Sequence, residues 1–96
     1  NLAEVYGLDA QAAAKISIAL TRLGRGNLSN VKAVGSGVLE YRIDFGPGYR
    51  IYVGKDGAAV VVLLAGGSKA SQSADIRRAQ EFWRDYLEVT KHGSAQ

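Results

Sequence analysis

The sequence predicts an α+β fold, in which an antiparallel sheet of three or more strands packs against an N-terminal and a C-terminal helix. Apolar residues recur at helical spacing towards both ends of the chain and alternate with a period of two in its middle. Short glycine-containing turns separate the alternating segments, as is typical of hairpins. A length of 96 residues with 47% hydrophobic residues fits one globular domain over residues 1–96.

The first predicted element is a helix over residues 10–23. Asp9 precedes it and is suited to accept a hydrogen bond from an exposed N–H of the first turn. Gly24 is expected to end the helix as a left-handed cap. The apolar stripe of this helix consists of Ala12, Ile16, Leu20 and Leu23.

Three strands are predicted next. Residues 39–45 alternate between apolar and charged side chains, which indicates a half-buried strand. A turn at residues 46–48, with proline between two glycines, leads to a second strand over residues 49–54. Asp56 and Gly57 favour another hairpin turn. The continuous apolar run at residues 58–65 predicts a central strand that is buried on both faces.

The last predicted element is a helix over residues 72–88, with Ser68 or Ser71 as its cap. Its apolar stripe consists of Ile76, Ala79, Trp83 and Tyr86. Residues 89–96 are expected to form a frayed tail that contains His92, the single histidine of the chain.

Composition excludes several classes of function. The chain has no cysteine and one histidine, so a thiolate nucleophile and a cysteine- or histidine-rich metal site are excluded, and no cofactor is expected. The longest apolar run is far shorter than the roughly 20 residues of a membrane span. The absence of cysteine suits a reducing compartment, and we expect a cytoplasmic protein. A net charge of +3 is weak support for a nucleic-acid partner.

Strand alternation gathers charged side chains on one face of the sheet. If Ile43 and Ile51 face the helical layer, Arg42 and Arg50 face away from it. Lys69 then lies at the rim, beyond the last strand. The same alternation adds Glu40, Asp44 and Tyr52, with Asp75 near the start of the last helix. Alternating charge is also the ordinary pattern of a solvated sheet face, so spacing alone does not define a site.

Three groups of residues carry a resemblance to a known family. They are Glu40-x-Arg42-x-Asp44, then Gly46-Pro47-Gly48-Tyr49-Arg50-x-Tyr52, and finally Gly66-Gly67-x-Lys69-x-x-Gln72-x-x-Asp75-Ile76. In this order and spacing the chain resembles the HigB-like branch of the RelE/ParE superfamily of bacterial toxins. The resemblance spans residues 12–86.

The resemblance implies a compact α+β fold with the helices on one side of the sheet. It further implies a metal-independent endoribonuclease that cuts mRNA on the ribosome and is neutralised by a cognate antitoxin, which also brings it to operator DNA. ParE-like members share the fold but inhibit DNA gyrase, so fold alone does not settle the activity. A degenerate toxin that only binds its antitoxin is a third hypothesis.

The resemblance also implies roles for individual residues. Arg50 would bind the scissile phosphate, since its planar guanidinium group suits two phosphate oxygens. Arg42 and Lys69 would be the accompanying catalytic cations. The general base is left open between Lys69, a ribosomal group and a carboxylate. Supporting or RNA-binding roles fall to Tyr49, Tyr52, Glu40, Asp44 and Asp75, with Tyr52 either stacking on a base or supporting Arg50.

One departure concerns the start of the chain. Family members begin with a strand and an aromatic-bearing helix, and residues 1–7 are too few for both. We therefore expect a shortened N-terminal region that leaves a strand edge unpaired, where an antitoxin or a second copy of the chain can pair.

Overall fold

The computed structural model describes the backbone of residues 9–94 and the side chains of residues 9–91. Its elements run in the order helix, four strands, helix, and the strands form one antiparallel sheet in the order β1-β2-β3-β4. The elements are α1 (Ala10–Gly24), β1 (Val31–Ala33), β2 (Val38–Ile43), β3 (Tyr49–Asp56), β4 (Ala59–Gly66), a 3₁₀ turn (Lys69–Ser71) and α2 (Gln72–Ser94). The predicted fold class is confirmed.

The two helices pack on opposite faces of the sheet. On one face, Ala19 and Leu23 of α1 form a buried cluster with Ile43, Ile51 and Val53 of the strands. On the other face, the residues that alternate with these pack against α2, in a cluster of Val38, Tyr52, Ala79 and Trp83. The one-sided helical layer implied by the resemblance is therefore wrong for this structure. Both faces of the sheet carry apolar positions, so each face takes its own helix.

The predicted cap of α1 is confirmed, the serine predicted to cap the last helix caps the 3₁₀ turn before it, and one predicted helix end is wrong. The Asp9 carboxylate accepts a hydrogen bond from the Ala12 amide at 2.7 Å. The predicted left-handed cap at Gly24 is wrong, because α1 continues through Gly24 to a cap at Arg25. The positive φ falls instead on Gly26, at 84°. Ser68 caps the 3₁₀ turn that leads into α2.

The apolar strand β4 lies at an edge of the described sheet. It pairs with β3 alone, and Val62 is 51% exposed. The prediction of a central strand buried on both faces is therefore wrong here. A run of apolar residues indicates that side chains on the two faces of a strand are packed against other elements. It does not indicate whether the strand has one or two neighbouring strands in the sheet. β1, a short strand that the sequence pattern does not predict, forms the other edge.

The last helix is longer than predicted. Its backbone is helical to Ser94, so the frayed tail predicted over residues 89–96 is wrong for residues 89–94, and residues 95–96 lie outside the described residues. The side chain of His92 lies outside the described residues. Within the described part of the chain, neither helix combines the length and the apolar character needed to cross a membrane.

Candidate functional site

A cleft of about 390 Å³ lies beside the turn between β2 and β3. Its lining residues are Arg42, Asp44, Phe45, Gly46, Pro47, Gly48, Arg50 and Lys69. The three residues expected to carry catalysis, Arg42, Arg50 and Lys69, therefore meet in one place. Three cations and one carboxylate give the cleft a net positive lining, which is suited to an anion.

The turn that forms one wall of the cleft depends on glycine. Gly46 and Gly48 have backbone φ angles of 57° and 88°, which residues with a Cβ atom rarely adopt. Pro47 between them favours a fixed φ, and the Gly48 amide donates a hydrogen bond to the Phe45 carbonyl at 2.9 Å. The tight turn keeps the ends of β2 and β3 together, and it brings Arg42 opposite Arg50.

Arg42 and Arg50 are direct cross-strand partners in the register of β2 and β3. Like charges directly opposite one another on a sheet destabilise the pairing. The arrangement concentrates positive charge on one spot of the sheet face. A bound anion would offset the repulsion between the two guanidinium groups.

Arg50 is the buried cation of the cleft. Its side chain is 7% exposed, and its Nε atom has no hydrogen-bond partner in the described part of the chain. A buried donor without a partner costs about 1–3 kcal/mol, and more when it is charged. The buried Nε atom is shielded from the cleft, so a phosphate there would be bound by the two terminal nitrogens of the Arg50 guanidinium group, whose fork suits two phosphate oxygens.

Arg42 and Lys69 are the accessible cations. Arg42 Nε lies 3.3 Å from Asp44 Oδ1, but both side chains are largely exposed. An ion pair of this kind contributes roughly 0–1 kcal/mol, so a phosphate can displace Asp44 with little loss. Lys69 is exposed at the start of the 3₁₀ turn that follows β4. The cleft thus combines one buried cation, Arg50, with two exposed ones, Arg42 and Lys69.

A buried polar cluster lies behind the cleft, beneath the first turn of α2. Glu40, only 6% exposed, accepts a hydrogen bond from Gln72 Nε2 at 2.9 Å. Asp75 accepts one from Ser71 Oγ at 2.8 Å. Between them lies Tyr52, which is fully buried and whose hydroxyl group lies against the Glu40 carboxylate.

Tyr52 is held in its neutral form. Burial raises the pKa of the Tyr52 hydroxyl group well above its usual range, and the negative charge of Glu40, its hydrogen bond with Tyr52 and the negative charge of Asp75 add to the effect. The positive charge of Arg50 acts in the opposite direction, but its effect is smaller. Tyr52 is therefore unsuited to act as a general base near neutral pH.

The structure divides the predicted site residues into three groups. Arg42, Asp44, Arg50 and Lys69 line the cleft. Glu40 and Tyr52 are buried behind it under α2, and Asp75 lies in the first turn of α2 itself. Tyr49 faces the opposite side of the sheet and packs against the cluster under α1. The predicted open face is therefore half covered, and stacking of Tyr52 on a base is wrong for this structure because its ring is inaccessible.

Two partners in this region were missed by reasoning from the sequence. Gln72 holds the Glu40 carboxylate, although it was noted only as part of a motif. Phe45 lines the cleft, and its ring lies 5.2 Å from Lys15 Nζ of α1. The alternation of β2 places Phe45 on the apolar side, so its position at the cleft depends on the turn that follows.

The arrangement can bind and stabilise a phosphate group. It offers two guanidinium groups and one ammonium group to the oxygens of a phosphodiester, which is the means by which charge on a pentacoordinate phosphorus is stabilised. Among the described residues, no group of three or more histidine or carboxylate side chains is placed to hold a metal ion. The cleft lining contains no histidine or tyrosine.

Fold and site together define a small α+β protein with a cationic cleft at one end of its sheet. The chain is 43% identical to an uncharacterized protein of Haemophilus influenzae over 70 residues, which are 73% of this chain and 71% of that protein. The chain belongs to the family of that protein. No family model matches the chain, and no solved structure matches it.

Proposed function

We propose that the chain is the toxin of a type II toxin–antitoxin module and cleaves mRNA on the ribosome. The observation that carries the proposal is the meeting of Arg42, Arg50 and Lys69 in one cleft. The sequence resemblance to HigB-like toxins supports the same conclusion, and the confirmed α+β fold is compatible with it. The proposed compartment is the cytoplasm, where mRNA and ribosomes are found.

The proposed reaction uses the RNA's own 2′-oxygen as the nucleophile. The 2′-hydroxyl group loses its proton and its oxygen attacks the adjacent phosphorus, while the bond from phosphorus to the 5′-oxygen breaks. The products are a 2′,3′-cyclic phosphate and a 5′-hydroxyl group, which receives one proton. Arg50 binds two non-bridging oxygens and stabilises the added charge. Lys69 is the proton donor to the leaving oxygen.

The structure narrows the choice of general base. Glu40 and Asp75 are engaged with Gln72 and Ser71 behind the cleft. Asp44 is the carboxylate that lines the cleft, and its exposed contact with Arg42 is weak. We propose that Asp44, or a group of the ribosome, accepts the proton of the 2′-hydroxyl group.

A cognate antitoxin is the proposed protein partner, and operator DNA would be reached only through it. One observation favours the alternative of a degenerate toxin that binds its antitoxin without cleaving RNA. Among the residues that the structure describes, the cleft lining holds no histidine or tyrosine, which are residue types often used for proton transfer. The two candidates differ in whether transcripts are cut.

The test is inducible expression in bacteria with the 5′ ends of transcripts mapped over time. Wild type should stop growth and produce new cuts within codons. Arg50→Ala should lower cleavage by about 100-fold or more, as expected when a main stabiliser of transition-state charge is removed. Lys69→Ala tests the same cleft at an exposed position, where loss of folding is not expected.

The matched control is Arg84→Ala, an exposed arginine of α2 outside the cleft. It should cut as wild type does. Arrested growth with intact transcripts would contradict the endoribonuclease and point to gyrase as the target. Normal growth with soluble, folded wild type would leave the antitoxin-binding protein as the better account.

A further inference from the structure

A second cleft, of about 290 Å³, lies on the α1 side of the same strand end. Its lining residues are Lys15, Ile18, Ala19, Arg22, Tyr41, Arg42, Ile43 and Asp44. Lys15, Ile18 and Arg22 are spaced at i, i+3 and i+7, so α1 presents them along one side. This cleft is also lined by more cations than carboxylates.

The two clefts are continuous around the end of β2. Arg42 and Asp44 line both of them. Lys15 of the second cleft lies over the ring of Phe45 of the first, with its Nζ atom 5.2 Å from the ring centre. We call the combined surface the basic band. Its charged members are Lys15, Arg22, Arg42, Arg50 and Lys69, with Asp44 as the single carboxylate.

The cations on the α1 side are available to a ligand. Neither Lys15 nor Arg22 makes an ion pair with a carboxylate of the described residues, and both side chains are exposed. The half-buried rings of Tyr41 and Phe45 lie among them. Cations along a groove with aromatic side chains between them are the usual features of a surface that binds single-stranded nucleic acid.

The path of the basic band favours a single strand over a duplex. The clefts lie on opposite faces of the sheet and meet around the Gly46–Gly48 turn, so a ligand must bend to contact both. Duplex DNA stays nearly straight over such a distance, because its persistence length is about 150 base pairs. A flexible single strand can follow the bend.

We propose that the basic band is a binding path for single-stranded RNA, in which nucleotides next to the scissile phosphate pass around the β2–β3 turn to Lys15 and Arg22 of α1. The inference rests on the proposed function, since it extends the same cleft to the flanking nucleotides. Lys15 and Arg22 act as binding residues for the strand and take no part in the cleavage step.

The test measures binding of fluorescent 2′-O-methyl oligoribonucleotides, which cannot be cleaved, by fluorescence anisotropy. Wild type should bind a nine-nucleotide strand more tightly than a three-nucleotide strand. The variant Lys15→Gln/Arg22→Gln should lose about tenfold in affinity for the longer strand at low salt. Its log–log salt dependence should become shallower by about 1.4, or about 0.7 for each lost phosphate contact to a single strand.

The matched control is Lys55→Gln/Arg84→Gln, which also removes one lysine and one arginine charge, but at positions outside both clefts. It should bind both strands as wild type does, and the α1 variant should keep wild-type affinity for the short strand. Equal binding of the long strand by wild type and the α1 variant overturns the proposal, as does wild type that binds neither strand.

Failure of this inference is separable from failure of the proposed function. If transcripts are cut on expression but the α1 variant binds the long strand normally, the proposed activity stands and the RNA path is wrong. If the α1 variant binds RNA normally but loses affinity for an acidic polyglutamate peptide, the α1 cleft is a protein-binding surface, and the proposal is overturned in favour of that partner.

Discussion

The helix α2 meets the sheet differently at its two ends. Around Trp83 the contact is apolar and closely packed. Trp83 is 5% exposed, its ring lies directly against the backbone of Gly54, and it stacks on Tyr86 with 5.3 Å between ring centres. Around the first turn of α2 the contact is polar: Gln72 of α2 donates a hydrogen bond to the Glu40 carboxylate of β2, and the Asp75 carboxylate of α2 lies near Tyr52 of β3.

The two ends of α2 also differ in how completely their buried polar groups are hydrogen-bonded. The apolar end gains stability from burial and close contact, and all of its partners lie within the chain. The polar end leaves Arg50 Nε buried without a partner among the described residues, and it buries the Tyr52 hydroxyl group beside the Glu40 and Asp75 carboxylates. We infer that the Trp83 end of α2 stabilises the fold, while the buried polar groups at the Arg50 end lower the free energy of unfolding and serve the proposed ligand site.

A methyl group at the Trp83 end should have the largest effect on stability. In Gly54→Ala the new Cβ would lie about 2.4 Å from the Trp83 ring, which is rigid and enclosed. Either α2 moves away or the ring leaves its position, and overpacking of this kind costs about 1–3 kcal/mol, occasionally more. We expect a loss near the upper end, measured as the free energy of unfolding in urea. In the control Gly67→Ala the Cβ meets nothing within 4 Å, so stability should be unchanged.

A glycine-to-alanine change at the Arg50 end should lower stability less than Gly54→Ala does, and it should lower RNA affinity. In Gly66→Ala the Cβ would meet Asp75 Oδ2 at 2.5 Å, but this atom is the end of a flexible side chain that can turn away. We expect a loss of about 1 kcal/mol in urea unfolding. Affinity for the three-nucleotide strand should fall, because Gly66 is the cross-strand partner of Arg50 and leads into the turn at Lys69. Equal stability losses at Gly54 and Gly66 would contradict the contrast between the two ends.

Removal of the Tyr52 hydroxyl group should have the smallest effect near neutral pH. Tyr52→Phe removes a buried hydroxyl group whose contact with Glu40 is offset by the cost of burying it, so we expect the free energy of unfolding to change by less than about 1 kcal/mol. A larger loss would contradict this expectation, because it would show that the contact with Glu40 outweighs the cost of burial.

A difference in stability between Tyr52→Phe and wild type should appear at alkaline pH. The raised pKa of Tyr52 means that, above the ordinary tyrosine pKa of about 10, the unfolded chain loses a proton that the folded chain retains. Stability that is fully present below pH 10 is therefore lost as pH rises further. Urea unfolding at pH 8 and pH 10.5 should show a smaller alkaline loss for Tyr52→Phe than for wild type. Tyr86, whose pKa is raised by its bond to Asp56, contributes equally in both proteins.

Prediction from sequence was strongest where a local rule applies. The Asp9 cap depends on one side chain and one nearby amide, and it is present at 2.7 Å. The shared face of Arg42 and Arg50 depends on the period of two and on a short turn, and the register of β2 and β3 pairs the two residues directly. Prediction was weaker for β4, because its apolar composition does not state whether a further strand lies beside it.

The sequence by itself determined the fold class, the order of the two helices and of strands β2 to β4, and the cations that the β2–β3 hairpin brings together, since these follow from periodicity and turn chemistry within short segments. Only the tertiary structure decided which face of the sheet each helix covers. That choice, made by contacts between residues distant in the chain, buries Tyr52 and Glu40 under α2, leaves Arg50 Nε without a partner, and joins Lys15 and Arg22 of α1 to the cleft. Side-chain alternation states which residues share a face, but it cannot state what packs on it.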